Sequence, residues 1–334
     1  MKLNNKGFAI SSVIYMSLVL FLVLIMSLLT VLASRKNILD KNRKDVYNYI
    51  NNIIDNSEKQ EDLNMEIPKL SSNMIPIIYN PSGFPVKADI NLNSKGVPRN
   101  WYNYAGKKWA NAVLVKDTAR TNYINALPGE EINESDILAY LVWIPRYKYS
   151  VNTADKTINI VFEKSTTTKS NGTATNGSYL THPSFTFNSK ELSGIWVAKY
   201  VASGTDVASG STISTGILFK SGLEPLIDLN VEEMFYNTRM MEAPSNIYGF
   251  TQTSTSFPSN SSGVIVNDSN NIDAHLIKNT EWGAIALLSQ SKYGINRKVQ
   301  NYNFNSNTLT GGGVVSSVVS NGKQSTTGNI YGNL

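Results

Sequence analysis

From Phe8 to Ala33 the chain carries no charged residue, 26 positions in a row. An α-helix needs roughly 20 predominantly apolar residues to cross a hydrocarbon layer. A secretory signal has a shorter apolar core, of about 7–15 residues, ending at a small-residue cleavage site. The run is too long for that and reads as a retained transmembrane anchor, with a lipid bilayer as its partner. Lys2 and Lys6 precede it, and Arg35, Lys36, Lys41, Arg43 and Lys44 follow it. Basic residues on both flanks leave the charge rule for orientation balanced. The large polar remainder therefore sets the orientation and is expected outside the cell. The net charge of +5 does not imply nucleic acid. These charges bracket an apolar segment and have no base-stacking aromatics between them, so no nucleic-acid partner is expected.

Helical character is expected to continue past the membrane. Leu39, Val46 and Ile53 are seven apart, Tyr49 and Ile50 fill the same face, and neither Pro nor Gly occurs between Phe8 and Ser57. One helix over residues 8–56 would be ~75 Å long. Residues 57–73 are charged and polar, with Pro68 and Ser71-Ser72, and read as a linker.

Lys6-Gly7-Phe8-Ala9-Ile10, followed by the apolar run, resembles the prepilin motif of type IV pilins and pseudopilins. The resemblance implies that residues 1–7 are a leader, that a membrane prepilin peptidase cuts after Gly7, and that Phe8 becomes a methylated N-terminus. It also implies other pilin-like subunits as partners. The family usually carries Glu at the fifth mature position, where it pairs with a neighbouring subunit's amino terminus. Here that position is Ser12, and a hydroxyl cannot replace an intramembrane carboxylate at equal strength. This departure points to a minor, tip or initiating role in any filament.

From Met74 onward Tyr, Trp, Val and Ile come in short runs separated by Asn, Gly, Ser and Pro. Met74–Tyr79, Trp109–Val115, Tyr140–Pro145, Ile158–Phe162 and Ile195–Tyr200 are expected strands. Two segments favour helix: Asn230–Asn237, with an Asn start and early acids, and Asn279–Leu288, with a capping pattern and Gly294 beyond it. Ser165–Ser178 and Ser254–Ser262 lack core residues and read as loops.

Four blocks carry a second resemblance: Val142–Tyr147, His182–Phe185, Leu192–Tyr200 and His275–Ala284. Their order and spacing resemble the formylglycine-generating-enzyme branch of the C-type-lectin fold. Gly328–Gly332 looks like the start of that family's last block, and the chain stops at Leu334 where the block would continue. The resemblance implies an α+β protein: a long N-terminal helix, then a strand-rich C-type-lectin-like head that is either truncated at its C-terminus or completed otherwise at that edge. Within the head, residues 74–150 are expected as a strand-rich N-terminal part and 151–334 as the lectin-like part.

No enzyme is expected. The formylglycine-generating reaction depends on a copper-binding cysteine pair, and this chain has no cysteine. Related sulfoxide synthases use a three-histidine iron site, and only His182 and His275 exist here. Those two read as a turn cap and a strand-end residue. No Gly-x-Ser-x-Gly elbow and no phosphate loop occurs. Asp268–Asp273 lacks the Gly and distant Glu of a calcium loop and reads as a polar turn. No metal site and no cofactor is expected. Trp101, Tyr102 and Trp109, with Tyr104, admit two readings: a platform on which sugar rings stack, or core residues of the first strands. The expectation is thus an adhesin-like surface protein at the cell membrane, with an extracellular head that binds a glycan or protein. The alternative is a structural pilin subunit without a ligand.

Overall fold

A computed structural model describes residues 5–57, 64–93, 96–187, 189–204, 216–227, 229–239, 241, 246–250 and 273–296. Residues 1–4, Ser254–Ser262, residues 268–272 and the Gly328–Gly332 block lie outside the described residues. The chain divides into two units, Met1–Ser57 and Glu58–Leu334.

The first unit is the helix α1, Asn5–Ser57, 53 residues without a break. No Pro or Gly interrupts it after Gly7, and at ~1.5 Å per residue it is about 80 Å long. The span Val13–Asp45 is long and apolar enough, by length and composition, to cross a membrane, and no part of that apolar surface is buried. A helix apolar on all sides has no polar face to offer water, which is the condition a bilayer satisfies.

The second unit is strand-rich. In chain order its strands are β1 (Ile75–Tyr79), β2 (Pro85–Lys87), β3 (Asp89–Leu92), β4 (Pro98–Asn100) and β5 (Asn111–Val115). The short helix α2 (Asp117–Asn125) follows, then β6 (Ile137–Pro145), β7 (Tyr147–Val151), β8 (Ile158–Phe162) and β9 (Leu180–Thr181). Next come β10 (Thr186–Phe187), β11 (Lys190–Glu191), β12 (Gly194–Ala198), β13 (Ser203–Gly204) and β14 (Ile217–Leu218). The helices α3 (Val231–Arg239) and α4 (Asn279–Gln290) close the described part.

Five strands form the main sheet in the order β12-β6-β5-β1-β2, and every neighbouring pair is antiparallel. β6 lies between β12 and β5, and its Ala139, Trp143 and Ile144 are buried. That placement explains a strand apolar along most of its length. A second sheet, β8-β7-β9, extends from β6 through Arg146. Its β7 alternates buried Tyr147 and Tyr149 with half-buried Lys148.

The division of the head at residue 150 is not what the sheet shows. β12 pairs along its whole length with β6, from Gly194 opposite Pro145 to Ala198 opposite Leu141. The two stretches therefore share one sheet and one core. Nor are the described residues of the expected linker separate from the head. Met65 and Leu70 pack on the core. The Glu66 carboxylate accepts from the Ser165 amide (2.8 Å) and hydroxyl (3.0 Å), and the Lys69 carbonyl accepts from the Trp196 indole at 2.7 Å. The apolar residues of 64–70 explain the docking better than the charges suggested.

α3 is capped reciprocally. The Asn230 side chain accepts from the Glu233 amide (2.9 Å), and the Glu233 carboxylate accepts from the Asn230 amide (2.8 Å). α4 begins at Asn279, as expected, with Lys278 as its N-cap, whose amide donates to Glu281 at 2.9 Å.

Candidate ligand-recognition surface

Gly7 and Phe8, the pair at which the resemblance implies prepilin cleavage, lie in the first turns of α1. The three aromatic candidates for ring stacking lie elsewhere than a stacking role requires. Trp101 is 3 % exposed and Tyr102 8 %. The Trp101 indole donates to the Asn111 carbonyl at 2.8 Å, and its ring stacks 6.4 Å from Trp196. Trp109 is half-buried against the same core and donates to the Tyr293 carbonyl at 2.9 Å. Tyr104, fully buried, donates to the Trp143 carbonyl at 2.9 Å. With the polar groups of Trp101, Tyr104 and Trp109 bonded to backbone carbonyls and Trp101, Tyr102 and Tyr104 buried, these side chains belong to the core.

The histidines have separate structural roles. His182 is fully buried beneath Tyr147, Tyr149 and Phe185. Its Nδ1 accepts from the Ser184 amide at 3.3 Å and so caps the short turn Pro183–Phe185, as the sequence suggested. Burial pulls its pKa down to about 4, so the ring is neutral near pH 7. His275 does not end a strand. It sits in the extended segment before α4, with Nδ1 3.0 Å from Asp273 and Nε2 2.9 Å from Glu281. Hydrogen bonds to Asp273 and then Glu281 raise its pKa to about 9. Arg239 reaches Asp273 at 3.0 Å, so the pair also ties the end of α3 to the start of α4. Among the described residues no group of His, Asp and Glu is arranged to hold a metal ion.

Arg146 is fully buried at the hinge between the two sheets. Its Nη1 donates to Glu191 (2.7 Å) and to the Phe185 carbonyl (3.2 Å), and its Nε lies 3.6 Å from Glu163. Thr181 completes Glu163 with a bond of 3.0 Å, and Lys169 completes Glu191 at 2.6 Å. A guanidinium with no path to water and two carboxylates already paired is an internal brace.

The accessible cluster of polar and aromatic groups is elsewhere, at the side of the main sheet where β1, β6 and the end of β12 meet. Lys199 Nζ donates to the Tyr79 hydroxyl at 3.0 Å and lies 4.8 Å from the centre of its ring. The Tyr200 ring meets Tyr140 edge-on at 5.7 Å. The Tyr140 hydroxyl donates to Glu134, and Lys220 lies 3.4 Å from the same carboxylate. Burial, then Tyr200 and Glu134, push the Tyr79 phenol up to about 12. Burial also lowers the Lys199 pKa. Tyr79 and Lys199 are 120 residues apart, so sequence spacing gave no sign of this pair. The only local hint was that Lys199-Tyr200 ends an apolar strand with polar groups.

No family model, no curated protein and no solved structure matches the chain.

Proposed function

We propose that this is a membrane-anchored bacterial cell-surface protein of pilin-like design, whose C-type-lectin-like head faces outward and recognises an extracellular ligand. The observation that carries the reading is α1. It is one unbroken 53-residue helix, with a fully exposed apolar span next to Lys6-Gly7-Phe8, joined to a folded head. The N-terminal half of the helix fits a bilayer, and the half after Arg35 is polar. Among its described residues the head has an internal polar brace, two histidines in structural roles and an accessible aromatic cluster at Tyr79 and Lys199. Such an inventory suits binding better than chemistry.

Ser12 in place of Glu weighs against a main filament subunit, since it removes the carboxylate that pairs in the membrane. The orientation is tested on intact cells expressing the full chain. Added protease is expected to remove the head while a cytoplasmic marker stays whole. A protected head on intact cells, cut only after lysis, would place it inside and overturn the reading.

A further inference from the structure

The main sheet is covered unevenly. Ile75, Ile77, Val113, Val115, Ile137 and Tyr140 are buried in one cluster. The register sets Ile77, Asn111, Val142 and Val197 side by side in a row across four strands. Ile77 is fully buried, but Asn111, Val142 and Val197 are only half-buried. Ile75, Ile77 and Tyr79 alternate onto one face of β1, and Tyr79, at the far end, is 40 % exposed.

The chemistry at this open part of the sheet is uneven in the same way. Glu134 is fully engaged by Tyr140 and Lys220, and the Lys220 ammonium also bonds the Glu134 carbonyl at 2.7 Å. Lys199 is exposed and uses one N–H on Tyr79. An ammonium has three donors, which leaves Lys199 with a charge and donors facing solvent. Tyr79 accepts that bond and keeps its own O–H to donate. An exposed phenol ring and a surplus cation stand together over this apolar part of the sheet.

The geometry points to a saccharide site on this open part of the sheet, built by Tyr79, Lys199 and Tyr200, that takes a sugar bearing an anionic oxygen group. It rests on the recognition role proposed for the head. The C–H face of a sugar ring stacks on the phenol ring, and its hydroxyls match the phenol groups. A carboxylate or phosphate pairs with Lys199, since charge-assisted hydrogen bonds are the stronger class. The ring-stacking role that buried Trp101 and Tyr102 cannot fill falls to Tyr79.

The test uses the full chain in nanodiscs. Three probes are titrated: a uronic-acid oligosaccharide, its carboxyl-reduced neutral counterpart, and a phosphate-substituted saccharide. At least one acidic probe is expected to bind about tenfold or more tightly than the neutral one, with affinity falling as salt rises. Which acidic probe binds identifies the source of the charge. Lys199→Met and Tyr79→Ala are each expected to weaken binding about tenfold, and Lys199→Arg to restore the preference for acid. Lys292→Met, in the turn after α4, is expected to change nothing. Equal thermal unfolding of the variants guards against loss of fold. Acid binding that survives both Lys199→Met and Tyr79→Ala overturns the site and leaves the recognition reading standing. Equal binding of acidic and neutral probes overturns the anionic specificity. No binding of any probe to the unaltered protein overturns the inference, while the protease result judges the anchored-surface reading separately.

Discussion

Gly194 opens β12 opposite Pro145 with a backbone φ of +159°. A Cβ built there would lie 2.4 Å from the Trp143 ring and 2.5 Å from the Ile144 carbonyl oxygen. Both neighbours are held, Trp143 being buried and edge-on to Trp196 at 5.2 Å. Gly194→Ala is therefore expected to destabilise the head by about 1–3 kcal/mol, the usual cost of overpacking a core. A denaturant midpoint equal to that of the unaltered protein would contradict this contact. The sequence shows Leu-Ser-Gly-Ile-Trp as a strand start but cannot say which indole the glycine must clear. Trp101 and Tyr102 mark the same limit. An indole can be a binding surface or core, and what decides is whether its N–H finds an internal acceptor. For Trp101 that acceptor is the carbonyl of Asn111, on a strand ten residues on.

At the scale of elements, legibility follows how local the cause is. β8 is found at the residues its apolar run gives, and α3 and α4 follow from their caps. α2 was missed because it buries no residue and so carries no apolar stripe; Arg120 pairs with Asp117 at 2.6 Å along its surface. The ties between elements are the least legible, because they are non-local. The link from α3 to α4 runs through Arg239, Asp273, His275 and Glu281, and it makes stability depend on pH. His275 has a folded pKa of about 9, above its ordinary 6.5. Its contribution is therefore complete below pH 6.5 and is lost as pH rises through 9. His182 has the opposite sign. Its folded pKa is about 4, so its contribution is complete above pH 6.5 and is lost as pH falls toward 4. The two together predict greatest stability near pH 6.5. His275→Gln is expected to flatten the alkaline side, and His182→Gln, if it folds, the acidic side. Urea midpoints measured from pH 4 to pH 9.5 check both. An alkaline fall unchanged in His275→Gln would exclude the clamp as its cause.

On the scale of the whole molecule, the strongest constraint was also the most legible. An uncharged run of 26 residues with no Pro or Gly from Phe8 to Ser57 predicts a long helix, and α1 extends to Ser57. The α+β character of the remainder was legible too, from short apolar runs set between turn residues. The boundaries inside the head were not, because β12 and β6 are joined by pairing between residues about 50 apart. The Tyr79–Lys199 pair was illegible for the same reason, since β5 and β6 lie between the strands that bring the two residues together.

The pilin-like design proposed for α1 turns on the bond between Gly7 and Phe8. The direct measurement is the intact mass of the full chain expressed with and without a prepilin peptidase. The account predicts a peptidase-dependent product that begins at Phe8 and has lost residues 1–7. A chain that keeps its leader in the presence of the peptidase would contradict the pilin-like reading and leave a plain membrane anchor carrying the head.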